Sequence, residues 1–223
     1  MARRRRWTTG EILDTAIEVL RTSDAGSFSV RQVAAALGTD SSSLYRHFRS
    51  KTELLRAVTD RIIGTAMEGY EPKGGWRRRL TDISTRLWDA FGRHPQVAAL
   101  WGRYISSGPG SRLVMEETLQ ALRASGLPDE EIPGEYHRLA TLLVALVSSG
   151  AAAGAVPAEE HEQGLELFRV TVLGADPERF PALAHFGRAI RPVIEDRQAA
   201  FETLLAGQLD LIEAAVSRAG TGG

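Results

Sequence analysis

The chain has 223 residues, 43% of them hydrophobic and 25% charged, with a formal net charge of −1 and no cysteine. These proportions exclude a disordered or fibrous chain, and the lack of cysteine excludes disulfides, thiolate metal sites and cysteine nucleophiles. The charge is unevenly placed: residues 1–60 hold ten Lys+Arg against seven Asp+Glu and the remainder 17 against 21, so a small basic module precedes an acidic body, as suits local contact with a polyanion.

Residues 1–8 carry four arginines, Arg3 to Arg6, followed by Trp7 and Thr8. No apolar core of a signal peptide follows them, and no apolar run reaches the roughly 18 residues of a membrane span, so a cytoplasmic protein is expected. The arginines are either a solvated tail or a basic arm that follows the minor groove or backbone of DNA.

Residues 9–22 (TGEILDTAIEVLRT) place Ile12, Leu13, Ala16, Ile17, Val19 and Leu20 on a helical stripe, with Thr8 or Thr9 as N-cap and Glu11 or Asp14 near the positive end. The stretch DAGS ends this helix, Gly26 being free to adopt positive φ. Ser29 caps a short second helix, VRQVAAAL, whose Val30, Val33, Ala34 and Leu37 face inward, and Gly38 stops it. A third helix from Ser41 to about Phe48 turns Leu44 and Phe48 toward the same small core. Ser50 with Glu53 forms a capping box that opens a long fourth helix through about Glu68. Beyond Tyr70 the chain reads as helices at roughly 75–92, 95–106, 111–125, 129–154, 160–173 and 190–219, broken by EPKGG and SGPGS. No strand alternation of useful length occurs, so the fold class is all-α.

Two short helices separated by a glycine turn form a helix-turn-helix signature, although ordinary helical bundles contain such turns too. The third helix separates the two readings. Its core needs only Leu44 and Phe48, which leaves Ser41, Ser42, Ser43, Tyr45, Arg46 and His47 outward, all able to hydrogen-bond and none of them acidic. Such a face suits phosphates and base edges. Arg31, one residue into the second helix, is either a solvated arginine or a contact to groove or backbone. Taken alone, Ser41 to Ser43 would be ordinary capping serines.

The run ILDTAIEVL followed by FSVRQVAAALGTDSSSLYRHFRSKTELLRAV resembles the DNA-binding domain of the TetR (tetracycline-repressor-like) transcriptional regulators. The pattern L-Y-x-H-F-x-x-K-x-x-L-L carries the resemblance most specifically, and it covers residues 9–60. A weaker similarity to the tetracycline-repressor-type C-terminal domain runs through RHPQVAALW, ETLQALRASGL, a long apolar helix, FPALAHF and FETLLAGQLDLI. The resemblance implies a basic arm at 1–8, a helix-turn-helix domain at 9–55, and a helical ligand-binding and dimerisation domain at 56–219, joined through helix four. It implies that Ser41, Ser42, Ser43 and Arg46 face base edges and that Tyr45, His47 and Lys51 grip phosphates. Ser29 and Arg31 complete the DNA-binding set.

The same resemblance places Trp88, Phe91, His94, Trp101, Tyr104 and Met115 around a ligand cavity that Tyr136, His137, Leu143 and Phe168 could close. Aromatics at helical spacing also serve simply as core. In the tetracycline repressor a histidine on the sixth helix helps to bind a metal carried by the drug. Trp101 stands there in this chain, so no metal or cofactor is expected, and an apolar, aromatic ligand is favoured.

The last helix carries Ile194, Phe201, Leu204, Leu205, Leu209, Leu211, Ile212 and Val216, more apolar surface than one flank of a monomer usually uses. With Leu139 to Val147 it could form a four-helix homodimer seam, the small residues Ala145, Ser148, Ser149 and Ala151 to Ala153 allowing close approach. Internal packing is the alternative use.

Catalysis finds little support. Ser43 and His47 stand at i and i+4 without an orienting carboxylate or oxyanion signature, EPKGGW lacks the spacing of a phosphate-binding loop, and HEQ at 161–163 is not the two-histidine zinc pattern. No enzyme is therefore expected, and the resemblance implies a ligand-responsive regulator, a repressor released from near-palindromic double-stranded operator DNA by a small-molecule effector. Two other readings stay open: a small-molecule binding protein or enzyme with a vestigial helix-turn-helix, which would not retard DNA specifically, and an architectural DNA binder with strong salt dependence and little specificity.

Overall fold

The computed structural model describes residues 6–22, 27–104, 106–154 and 156–221, without the side chains of residues 153, 191–195 and 221. Arg3, Arg4 and Arg5 of the arm, Gly26 of the first loop and the Ile194 side chain lie outside the described residues. Among those residues there is no strand, and eleven α-helices follow one another: α1 (Thr9–Thr22), α2 (Val30–Ala36), α3 (Ser41–Tyr45), α4 (Lys51–Ala66), α5 (Trp76–Gly92), α6 (Pro95–Trp101), α7 (Pro109–Arg123), α8 (Ile132–Gly154), α9 (Ala158–Leu173), α10 (Pro181–Glu195) and α11 (Arg197–Thr221). None of these helices is long and apolar enough to cross a membrane.

Local chemistry sets the boundaries of the first four helices. The Ser29 hydroxyl oxygen accepts the Gln32 amide at 3.4 Å while the Gln32 side-chain oxygen accepts the Ser29 amide at 2.7 Å, a reciprocal cap that starts α2. Gly38 takes φ +64° and turns the chain into α3. Ser50 accepts the Glu53 amide at 3.1 Å and starts α4. Phe28, Val33, Leu44 and Phe48 then close with Ile12, Ala16 and Leu20 of α1 and with Leu54, Leu55 and Val58 of α4 into one buried core.

The chain divides into two compact units, residues 1–151 and 152–223. In the first, α4 packs on α1 at its beginning and on α5, α6 and α7 along its length. Its leading half supplies core to the N-terminal head, and its trailing half, Ile62, Ile63 and Ala66, supplies core to the helices that follow. In the second unit α9 and α10 pack against each other, so closely that a Cβ on Gly187 would meet Val172 Cγ1 at 2.6 Å. On α11, Phe201, Leu205, Leu209 and Ile212 are buried within the single chain, whereas Leu204 and Leu211 are 47% and 60% exposed.

Several helices depart from the sequence reading: α8 begins at Ile132 rather than near 129, and α10 opens at Pro181, where no helix is expected. Helix three ends at Tyr45 rather than near Phe48. Helix six ends at Trp101 rather than near 106, because Gly102 closes it and the chain leaves toward the Ser106–Ser107–Gly108 loop. The single helix expected over 190–219 is the end of α10 followed by α11. The break falls at Asp196, whose carboxylate accepts the Ala199 amide at 2.9 Å and starts a new helix.

Candidate DNA-reading face and effector cavity

The outward face of α3 is organised by a residue that precedes it. The Asp40 carboxylate caps α3 by accepting the Ser43 amide at 2.9 Å, and it also accepts the Ser42 hydroxyl and, at 3.3 Å, the Ser43 hydroxyl. The Ser43 oxygen in turn accepts Arg46 Nη2 at 3.1 Å. Ser41 is half-buried at the helix start, whereas Ser42, Tyr45, Arg46 and His47 are exposed, and so is Arg31 on α2. His47 Nδ1 lies 3.4 Å from Thr9 Oγ1 on α1.

Two residues of the expected DNA-binding set have structural work within the head. The Ser29 hydroxyl is engaged in the α2 cap, donating to Gln32 at 2.9 Å. Lys51 Nζ donates to the Phe28 carbonyl at 2.5 Å and stands 5.7 Å from the centre of the Phe28 ring, a cation–π contact. An ammonium has three donors, so Lys51 can tie down this loop and still present charge outward.

Within the first unit, helices α4, α5, α6, α7 and α8 enclose a cavity of about 310 Å³, at the lower end of the range for small-molecule sites. Trp101, Tyr104, Met115, Tyr136 and Leu143 lie on its wall, together with Ile63, Leu87, Leu139 and Val144. Among the described residues no charged side chain lines it; the polar side chains on its wall are Ser84, Ser106, Ser111, Thr118, the two tyrosines and Trp101 with its indole N–H. Burial pushes the Tyr136 hydroxyl pKa upward, which keeps it a neutral donor.

The other five candidates fall elsewhere. Phe91 is fully buried and stacks behind Trp101, ring centres 4.3 Å apart and planes 14° apart, so it backs the wall instead of forming it. Trp88 is half-buried and His137 exposed, and neither lines the cavity. His94 is the N-cap residue of α6. Its pKa is lowered chiefly by burial and further by Arg93, against a smaller opposing pull from Glu18 of α1. Phe168 is on α9, in the second unit.

Helix α4 runs from the N-terminal head, where it packs on α1, to the cavity. Ile63 is on the cavity wall, and one turn earlier stands Asp60, 8% exposed. The Asp60 carboxylate accepts the Gly110 amide at 3.1 Å, the Ser111 amide at 2.8 Å, the Ser111 hydroxyl at 2.7 Å and the Ser106 hydroxyl at 3.1 Å. It thereby caps α7 from a neighbouring helix, negative charge against the positive helix end. Ser106 and Ser111 themselves line the cavity. At the far end of α4, Arg86 of α5 donates to the Ala66 and Glu68 carbonyls at 3.4 and 3.3 Å.

Asp40 and Asp60 belong to the candidate sites, and sequence reasoning missed both. Asp40 could have been found, since an Asp directly before a helix is an N-cap signal. Asp60 could not: an acid on a long helix reads as solvated, and its partners are some fifty residues away in the chain. Among the described residues no group of three or more His, Asp or Glu converges as a metal site would require.

Residues 12–58 match the model of the tetR family of bacterial regulatory proteins, and residues 68–216 match that of the tetracyclin repressor-like C-terminal domain. The HTH-type transcriptional repressor DrrR1 of Streptomyces coeruleorubidus is 30% identical over 126 residues, which cover 56% of this chain and 47% of DrrR1; the match thus spans about half the length of that relative. A solved structure from Streptomyces coelicolor A3(2), described as a transcriptional regulator, is 59% identical, covers 95% of this chain and 99% of its own, and superposes with a TM-score of 0.80. The TetR family protein ActR of Streptomyces coelicolor, in complex with actinorhodin, is 25% identical with a TM-score of 0.83, covering 95% of this chain and 99% of its own.

Proposed function

Because the chain belongs to the tetR family of bacterial regulatory proteins, we propose that it is a ligand-responsive repressor that binds a near-palindromic operator as a homodimer and leaves it when a neutral, largely apolar and aromatic small molecule fills the cavity. The observation that carries this reading is the double duty of α4. Leu54, Leu55 and Val58 belong to the head's core and Ile63 to the cavity wall, so a shift of α4 against α7 cannot leave the head where it was. The ligand moves the equilibrium only as far as its affinities for the two states differ.

The ligand class follows from the wall. With no charged group lining it among the described residues, an ionic effector would lose its hydration with nothing in exchange, whereas flat rings can stack on Trp101 and reach the hydroxyls of Ser84, Thr118 or Tyr136. ActR, which resembles this chain over 95% of its length, has been solved with actinorhodin, and that favours the same class here. Two-fold pairing would set two α3 helices on successive major grooves, and the exposed Leu204 and Leu211, seven residues apart on one face of α11, are its candidate seam. Catalysis has no part in this reading, for the Ser43 hydroxyl is engaged with Asp40 and Arg46.

The test has two stages. Sites are selected from random duplex DNA with the full chain, and planar aromatic compounds are then screened for release from the winning site. Linkage requires operator DNA to weaken ligand binding by the same factor as the ligand weakens DNA binding, commonly about 5–150-fold. A ligand that binds equally well with and without operator would leave the protein a DNA binder without an effector in this cavity.

A further inference from the structure

The hydrogen bonds at the start of α3 fix the direction in which its hydroxyls point their protons. An aspartate carboxyl is ionised near neutral pH and offers acceptors only. The Ser42 hydroxyl, bonded to Asp40 Oδ1, is therefore the donor in that bond, and its only proton faces the protein. What Ser42 shows to the outside is lone pairs. The Ser43 hydroxyl is committed on both sides, its proton toward Asp40 and its oxygen accepting Arg46 Nη2, so it orients the guanidinium and has little left for a base. Ser42 and Arg46 stand four residues apart, on one face of the recognition element. One turn apart, that face carries an acceptor and a fork of donors.

We infer that Ser42 reads DNA as an obligate acceptor, selecting a base with an exocyclic amine in the major groove, adenine or cytosine on the strand it approaches, and that Asp40 is the positioning residue that imposes this polarity. The inference rests on the reading that α3 enters the major groove. There adenine presents N6 and cytosine N4 as donors, while guanine and thymine present O6 and O4 as acceptors. A freely rotating serine hydroxyl could serve either kind; one whose proton is held by a carboxylate serves only the amines. Arg46, held by Ser43, carries the opposite polarity and suits guanine O6 and N7 at a neighbouring pair. Each half-site should therefore contain an amine-bearing base beside a guanine.

The experiment uses the full chain with wild-type, Ser42→Ala and Asp40→Gly proteins. Sites are selected from random duplexes with each, and affinities are then measured on the wild-type winner and on a duplex whose adenine or cytosine, at the position affected by Ser42→Ala, is replaced by its amine-free analogue. The wild type should prefer A or C at that position and lose about tenfold in affinity on removal of the amine, in keeping with one good base contact. Ser42→Ala should bind both duplexes equally. Asp40→Gly, with glycine tolerated at a helix N-cap, should widen the preference there to include G or T, a change in which base is chosen that mere loss of stability would not produce. A wild-type preference for G or T at that position would overturn the assignment. So would a wild type indifferent to the amine, or a Ser42→Ala protein whose selected sites match the wild type's at every position. A wild type that selects no sequence at all would instead remove the proposed function, and this inference with it. Should Asp40→Gly fail to fold, the Ser42→Ala and amine-free arms decide the matter.

Discussion

A Cβ on Gly110 would stand 2.6 Å from the backbone nitrogen of Gly64 and 2.5 Å from the Asp60 carbonyl oxygen, so α7 starts with its backbone laid directly on that of α4. Only glycine fits such a crossing. Gly110→Ala must push the helices apart, and overpacking of this kind costs about 1–3 kcal/mol. It should appear as a lowered melting temperature. Gly10→Ala on α1, where no atom lies within 4 Å of the added carbon, is the control and should be neutral or slightly stabilising.

Asp60→Ala strands the Gly110 and Ser111 amides that the carboxylate now satisfies. Each buried donor left unpaired costs about 1–3 kcal/mol, so a clear loss of stability is expected, with Asp60→Asn intermediate. Coupling should suffer too: the ratio of ligand affinities measured without and with operator should fall toward one. An Asp60→Ala protein that keeps the full ratio would take the carboxylate out of the relay.

Ala140→Phe places a ring inside a cavity of about 310 Å³. DNA binding should persist, because residue 140 is on α8 and outside the head, but release by the effector should be lost. Retained release at the wild-type ligand concentration would mean that the effector binds elsewhere.

Leu204 and Leu211 are exposed in the single chain, whereas Leu205 and Leu209 are buried in it. Leu204→Glu with Leu211→Glu should therefore yield folded monomers by sedimentation, with operator affinity greatly reduced. Leu205→Glu should instead bury a charge without a partner and unfold the chain. A double variant that remains a folded dimer would place the seam away from this face.

The lowered pKa of His94 makes stability depend on pH. Because the folded chain disfavours the imidazolium, the unfolded chain takes up the proton first as pH falls. The contribution of the neutral ring is complete above the ordinary histidine value and declines as pH drops from there toward the folded value. Urea unfolding at about pH 7.5 and about pH 5.5 should show a loss on acidification that is smaller in His94→Gln. Equal losses in both proteins would assign it to other groups.

Much of the fold is legible from helical spacing and caps. Ser29 and Ser50 mark two starts, Gly38 marks a turn, and the stripe from Ile12 to Leu20 is the buried face of α1. Position 181 shows where such signals run out. Pro181 opens α10, but a second proline at 192 is an equally good helix opener in sequence, and the break between the last two helices depends on the Asp196 cap. At the cavity the same limit applies to aromatics. Trp101 and Phe91 have equal claims in sequence, and only the packing reveals that one faces the void while the other lies behind it. The Asp60 contacts join segments some fifty residues apart, beyond the reach of any local pattern.

Helix α3 contains five residues, under two turns, and a helix that short has no stability of its own. It is held by Leu44 and Phe48 in the core and by the Asp40 cap, while Ser42, Tyr45 and Arg46 contribute nothing to that core. In the proposed reading, folding and addressing thus fall to different side chains of one short segment, with Asp40 serving both. Exchange of two outward residues can redirect such a protein to another stretch of genome at almost no cost in stability, so descendants of one scaffold can diverge in the genes they govern before they diverge in anything else.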